Sequence, residues 1–377
     1  MSPSPSATFR RSPGARALRP AGLLTSAVLT TALLAACGGA DQGSGAGGDD
    51  DATSPSPSSS SSSSDDATPS TPDAATPFTA DNCGFEVETE AAPERIVTIK
   101  SAMTELVLAL GAGDRLVATA YPDGPPTDAA DAELVAALPV LGDRVPSNEA
   151  VLSVEPDLVL AGWESNFSAD GAGERSALTD LGITTFVAPS ACTQAPYAPD
   201  PLTFEDVFAE ITQVGDLLGE SDAAAALVEQ QRTELETLRG ARDGAASTAG
   251  DPAAPASALW WSSGSETPFV GAGTGAPQMI LDEVGLTNVA GELEGGWGPY
   301  SWEAATAADP DVIVLVDSVW NTAEKKKETL AANPVTASLR AVQEERYLVV
   351  PFAATEGGVR NVEAVATLTE QLAALER

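Results

Sequence analysis

The side chains with chemistry to offer stand at the ends of apolar segments. Lys100 and Ser101 close a β-branched run at 95–100, and Tyr121 closes another at 116–120. Trp163, Asn166 and Phe167 lie in a polar, glycine-containing loop after a third run, 158–161. Farther on, Trp261 ends the run 258–261, Trp297 and Tyr300 sit beside glycines, Trp320 follows 312–316, and Arg360 follows Gly357-Gly358. Aromatic faces beside one or two cations suit a flat, negatively charged molecule. Plainer readings stand beside this one. Trp260 and Trp261 are neighbours on one strand, so one must face a core. Trp163, Trp297 and Trp320 could be packing residues, and Arg360 could serve a nearby carboxylate.

Catalytic readings are thin. The chain has no His, which removes His triads, His general bases and His metal ligands together. Three Cys supply no metal cluster, and neither a Gly-x-Ser-x-Gly elbow nor a phosphate loop is present. We therefore assign no catalytic residue, no metal site and no resident cofactor. The 55 acidic residues leave one enzymatic alternative open, an extracellular carboxylate-dependent enzyme on a two-lobed scaffold.

The elements that position these residues come in two matched sets. Short apolar strands alternate with helices from 95 to 187 and again from 258 to the C-terminus, which predicts mostly parallel sheets covered on both faces. A sequence repeat links the sets. Asn148-Glu149-Ala150 precedes Glu155-Pro156-Asp157, and Trp302-Glu303-Ala304 precedes Asp309-Pro310-Asp311, each followed at once by an apolar strand. Glu149 and Glu303 then occupy equivalent helix starts, where they either stabilise the helix or present paired charges to a symmetric partner. Between the sets, residues 203–244 read as two helices in series. Phe204, Val207, Phe208, Ile211, Val214 and Leu218 make one apolar face, Thr203 is the N-cap, and Gly219 separates the helices. We read this stretch as a rigid strut between lobes at 81–202 and 245–377; a long surface helix on one large domain is the alternative. Ligands of such sheets sit beyond the carboxyl ends of the strands, which places a cleft among the loops named above, together with 262–267, 317–320 and 352–361.

The N-terminus is of another kind. Arg10, Arg11, Arg16 and Arg19 precede an apolar run ending in Ala35-Ala36-Cys37. That is the pattern of a secretory signal peptide (1–36) with a lipid acceptor at Cys37. Residues 37–80 are Gly, Ser, Asp and Pro with almost no large apolar side chain, and read as a disordered tether. Formal net charge is −36, so nucleic acid is not an expected partner. Outside the membrane, Cys83 and Cys192 read as a disulfide, with two buried thiols as the alternative.

These features resemble the substrate-binding lipoproteins of ABC importers for siderophores and cobalamin, over about 83–377. The resemblance rests on Pro93-Glu94-Arg95-Ile96-Val97, the two Glu-to-Pro-Asp repeats, the strut, and Gly358-Val359-Arg360-Asn361. It implies an α/β fold of two similar lobes with mostly parallel sheets flanked by helices, joined by one long rigid interlobe helix. It implies a non-enzymatic, monomeric protein, lipid-anchored on the extracytoplasmic face of the cell membrane. Its partners would be a small molecule in the cleft and a permease dimer with its ATPase, docked through Glu149 and Glu303. Residues 162–171 and 319–324 resemble an actinobacterial subgroup assigned to a deazaflavin coenzyme lacking its glutamate tail. That makes an anionic planar ligand the first expectation, and a ferric siderophore or cobalamin the second. The family's metal-binding members use His, so bare metal ions do not fit. The implied ligand-binding residues are Lys100, Ser101, Tyr121, Trp163, Asn166, Phe167, Trp261, Trp297, Tyr300, Trp320 and Arg360.

Overall fold

A computed structural model describes residues 77–248 and 256–375. The leader, Cys37 and the tether up to residue 76 lie outside the described residues. The expected tether boundary at residue 80 is corrected by strand β1 (Phe78–Asn82), paired antiparallel with β2 (Phe85–Thr89). The cause is one side chain. Phe78 is buried edge-on against Phe186, with centroids 6.2 Å apart. A single large apolar residue docks a segment whose composition otherwise reads as linker.

The first lobe runs β3 (Ile96–Ile99), α1 (Ser101–Ala109), β4 (Leu116–Ala120), α2 (Ala129–Ala137), α3 (Asn148–Leu152), β5 (Leu158–Ala161), α4 (Arg175–Thr179) and β6 (Thr184–Val187). Its sheet has the order β4-β3-β5-β6 and is wholly parallel. The residues of β3 and β5 are buried throughout, which is why these strands read as unbroken apolar runs rather than alternating ones. Helix α2 carries no apolar stripe and its residues are not fully buried. Its existence rests on the Asp128 cap, whose carboxylate accepts from the N–H groups of Ala130 and Asp131.

Two helices follow, α5 (Phe204–Leu218) and α6 (Ser221–Thr248). Thr203 and Asp206 form a reciprocal capping box at the start of α5, and Gly219 ends it in the left-handed conformation. The pair is a hairpin rather than a line. Arg232 of α6 reaches back to Glu205 and lies over the Phe208 ring. Gly215 meets Ala224 so closely that an added Cβ would stand 2.3 Å from the alanine methyl. Helix α6 alone is therefore the long interlobe element. Beside its start Glu220 pairs with Arg115 of the first lobe, and near its end Arg239 pairs with Glu283 of the second. Its 28 residues span about 42 Å.

The second lobe runs β7 (Ser257–Ser263), β8 (Phe269–Gly271), α7 (Ala276–Val284), β9 (Thr287–Asn288), β10 (Trp297–Pro299), α8 (Trp302–Ala308), β11 (Val312–Asp317), α9 (Ala323–Ala332), α10 (Arg340–Gln343), β12 (Tyr347–Pro351) and α11 (Asn361–Leu375). Its sheet has the order β10-β8-β7-β11-β12, with β9 also on β7. The contacts among β7, β9, β11 and β12 are parallel. The short strands β8 and β10 are antiparallel, and three residues each leave too little pattern to be read beforehand. Apolar residues from one face of each sheet share a single core with α5, α7 and α11, so the hairpin is buried structure and not a free tie.

The sequence repeat is a structural one. Ser147 caps α3 by accepting from Ala150 N–H, and Ser301 caps α8 by accepting from Ala304 N–H. Glu155 and Asp309 both adopt positive φ, 48° and 42°, before their prolines. Asp157 then holds the backbone N–H groups of Glu94 and Arg95, and Asp311 holds that of Ser257, each at the entry of the neighbouring strand. Among the described residues no helix is long and apolar enough to cross a membrane.

Candidate ligand-binding cleft

Residues from both lobes line a cavity of about 730 Å³. The lining gathers at the carboxyl ends of the strands: Tyr121 after β4, Trp163 after β5, Ser263 at the end of β7, Trp320 after β11 and Phe352 after β12. With Phe269 of β8 and Trp297 of β10, six aromatic rings face the space. Phe269 and Trp297 stack in parallel, centroids 6.2 Å apart and planes 6° from coincidence. Trp320 is 45% exposed and meets Phe352 edge-on at 5.5 Å.

Of the residues expected in the cleft, Tyr121, Trp163, Trp297 and Trp320 line it. The other seven are placed elsewhere, each for a visible reason. Lys100 is fully buried beneath the wall, its ammonium on Asp123. It lies 4.5 Å from the Tyr121 centroid and 4.2 Å from those of Trp163 and Phe352. Ser101 accepts from Asp123 N–H and donates to Gly124 O. Asn166 turns inward to accept from Trp163 N–H, and Phe167 packs near Arg175. Trp261 is the core-facing partner of Trp302, its indole N–H on Ser263 O. The Tyr300 hydroxyl donates to Val289 O. Arg360 bridges Glu105, 3.3 Å away across the lobes, and Glu363. The expected basic contacts are thus consumed internally, and among the described residues no Lys or Arg lines the cavity.

Acidic groups take their place. Glu164, Asp200 and Glu356 are on the lining. Glu164 is engaged by the Thr193 N–H and hydroxyl. Glu356 accepts the Trp163 indole N–H, a bond that ties the two lobes at the base of the cleft. Burial pushes its carboxyl up to about 8, against the pull of the Lys100 ammonium. Behind the wall, burial likewise raises Glu105 to about 7 despite Arg360, and Glu210 to about 7 despite the Ser190 N–H. Burial raises Asp123 as well, opposed by Lys100.

Backbone strain marks the same place. Lys100 and Tyr121 hold φ of 84° and 52°, where a non-glycine residue needs surrounding structure to keep it. A Cβ on Gly162 would stand 3.0 Å from the Cβ and Cγ of Lys100, so the strand end packs directly on the root of that side chain. Cys83 and Cys192 form a disulfide, and Cys192 is itself on the lining. The bond pins the wall to the β1–β2 hairpin. Glu149 and Glu303 lie away from the lining, exposed, each the second residue of its capped helix. Phe269, Phe352 and Glu356 were not singled out beforehand. Phe352 and Glu356 fall inside the loop 352–361 that was named as a whole, whereas Phe269 sits on the unanticipated β8.

Known proteins share this architecture. The chain is 28% identical over 298 residues to an uncharacterized ABC transporter substrate-binding lipoprotein, YvrC, of Bacillus subtilis, covering 78% of this chain and 85% of that protein. A structure of an ABC-type Fe3+-hydroxamate transport system from Saccharomonospora viridis superposes with a TM-score of 0.66 at 26% identity, over 78% of this chain and 98% of that one. A periplasmic binding protein from Veillonella parvula, 24% identical with a TM-score of 0.65 over 78% and 97%, shares the fold. A family model described as periplasmic binding protein matches residues 96–354. This chain belongs to the periplasmic binding protein family.

Proposed function

We propose that this protein is the substrate-binding lipoprotein of an ABC importer. It is anchored outside the cell membrane through Cys37, captures a small solute between its lobes, and delivers it to a permease dimer served by an ATPase. The family, the likeness to YvrC and the leader ending at Cys37 support this reading. Its role is binding and hand-over, not chemistry on the solute.

The solute we favour is a neutral or cationic chelate with broad apolar faces, a ferric hydroxamate first. One observation carries this: among the described residues, six aromatic rings line the cleft, together with three carboxylates and no basic side chain. The cavity volume lies within the range of roughly 300–1,000 Å³ usual for small-molecule sites. The likeness to the Saccharomonospora viridis protein points the same way. An anionic deazaflavin coenzyme recedes, because its phosphodiester and carboxylate would enter an acidic space without a cation to meet them. Glu149 and Glu303, exposed at equivalent helix starts, are the charges we assign to the permease.

The test combines binding with transport. A ferric linear trihydroxamate should quench the tryptophan fluorescence of the full-length protein. Glu149→Arg with Glu303→Arg should keep that quenching while cells lose uptake of the chelate. Quenching lost in the double variant would place the pair in ligand binding instead, and absence of quenching in the parent would remove the proposed solute.

A further inference from the structure

Three carboxylates among the described residues are buried with one oxygen unpartnered: Glu105, Glu210 and Glu356. Only Glu356 also lines the cleft. Its Oε1 accepts the Trp163 indole N–H, while Oε2 has no hydrogen-bond partner. An unsatisfied buried acceptor costs on the order of 1–3 kcal/mol, and a ligand group that completes it recovers that cost. The backbone around it is fixed. Asn361 donates to Glu356 O, and a Cβ on the next residue, Gly357, would strike the Ser190 side chain at 2.3 Å.

The surroundings select what can arrive there. The nearest cation, Lys100, is already neutralised by Asp123. The remaining charged neighbours, Asp123 and Glu210, are acidic and act to raise the Glu356 carboxyl further. The walls are compatible with an ammonium, since Tyr121, Trp163 and Phe352 hold that of Lys100 from below. All three rings also line the cleft, with Trp320 beside Phe352.

Taking the cleft to be the ligand site, we infer that Glu356 anchors a positively charged amino group of the ligand, whose flanking carbons pack on Trp163, Phe352 and Trp320. Burial favours the protonated form of this carboxyl. When the ammonium enters, that proton leaves to solvent and the resulting carboxylate pairs with the cation. The ligand's own amine stays protonated throughout. The ligand class is thereby narrowed to amine-bearing solutes with an apolar body.

Two probe pairs test this on the full-length protein. The first is a ferric linear trihydroxamate with a free terminal amine, against its N-acetylated counterpart, read by tryptophan quenching. The second is tryptamine against N-acetyltryptamine at millimolar concentration, read by saturation-transfer NMR. The free amine should bind about tenfold or more tightly than the acetylated partner. Glu356→Gln keeps an acceptor for Trp163 and should erase that preference, so that within the variant the free amine and its acetylated partner bind alike. Glu356→Asn, which likewise removes the ionisable group, serves the same purpose if the Gln variant is unfolded by circular dichroism. Equal binding within both pairs, tighter binding of the acetyl compounds, or an amine preference that survives in the variants overturns the assignment. If neither chelate binds but tryptamine is still preferred, the ferric hydroxamate reading falls and the role of Glu356 stands.

Discussion

The two lobes share a skeleton and differ in what they hang on it. In both, a serine-capped helix with Glu at its second position leads through a positive-φ residue and Pro-Asp into a central parallel strand. In both, the aspartate pins the entry of the neighbouring strand. Each lobe also buries one lysine completely, and here they part. Lys100 meets a carboxylate and three rings, one of them from the other lobe. Lys326 hydrogen-bonds only to backbone, donating to Val316 O at 2.5 Å and Asn321 O at 2.7 Å, with the Asp317 carboxylate near enough to favour its charge, and so shapes the loop that presents Trp320. The first lobe alone carries a disulfide, and the second alone adds β8 and β10 with the Phe269–Trp297 stack. The repeated parts are those any such lobe needs to hold its sheet and show a glutamate outward. The unrepeated parts are the ones that line the cleft.

The sharpest probe of that contrast is the pair of lysines. Lys100→Met should cost about 3–5 kcal/mol, because Asp123 is left buried without its cation. Lys326→Met should cost about 1–2 kcal/mol, since it strands two carbonyls and the carboxylate it leaves, Asp317, is only half-buried. Denaturant unfolding measures both, and equal losses would erase the distinction. Next in size is the disulfide. Cys83→Ser with Cys192→Ser should lower stability by about 3 kcal/mol and loosen the first-lobe wall beside Thr193. A stability unchanged by reduction would show that Phe78 and the buried Asn82, bonded to Val187 and Arg175, dock the hairpin without the disulfide.

The smallest effect concerns the shared aspartates. The Ser257 N–H, and then Arg340, outweigh burial to hold the Asp311 carboxyl at about 2. A depressed carboxyl stabilises the fold above its unfolded value, and that contribution fades as pH falls through about 2. Asp311→Ala should therefore cost about 1 kcal/mol at pH 7, discounted for partial exposure, and progressively less in acid. Asp157→Ala should cost a similar amount at neutral pH. Acid titration of the two variants against the parent measures this, and a penalty for Asp311→Ala that persists at pH 2 would remove the ionic explanation.

Much of the architecture could be read from letters. Strands β4 and β5 were expected at the observed bounds, because buried parallel strands leave unbroken apolar runs. Thr203 and Gly219 were legible because capping depends on a few neighbouring atoms. The cleft was legible only in part. Tyr121, Trp163, Trp297 and Trp320 were expected there, yet so were Lys100 and Arg360, which fold away. Nothing local distinguishes a lysine that meets a ligand from one that meets Asp123, 23 residues on.

The chain by itself determined its periodicities, its caps, its repeat and its want of histidine, all properties of residues close in sequence. Only the tertiary structure decided the sign of the cleft. Whether a charge reaches a ligand depends on which distant partner arrives first, and burial makes that pairing compulsory. Here Asp123 took Lys100 and Glu105 took Arg360, and the acids were left facing the space.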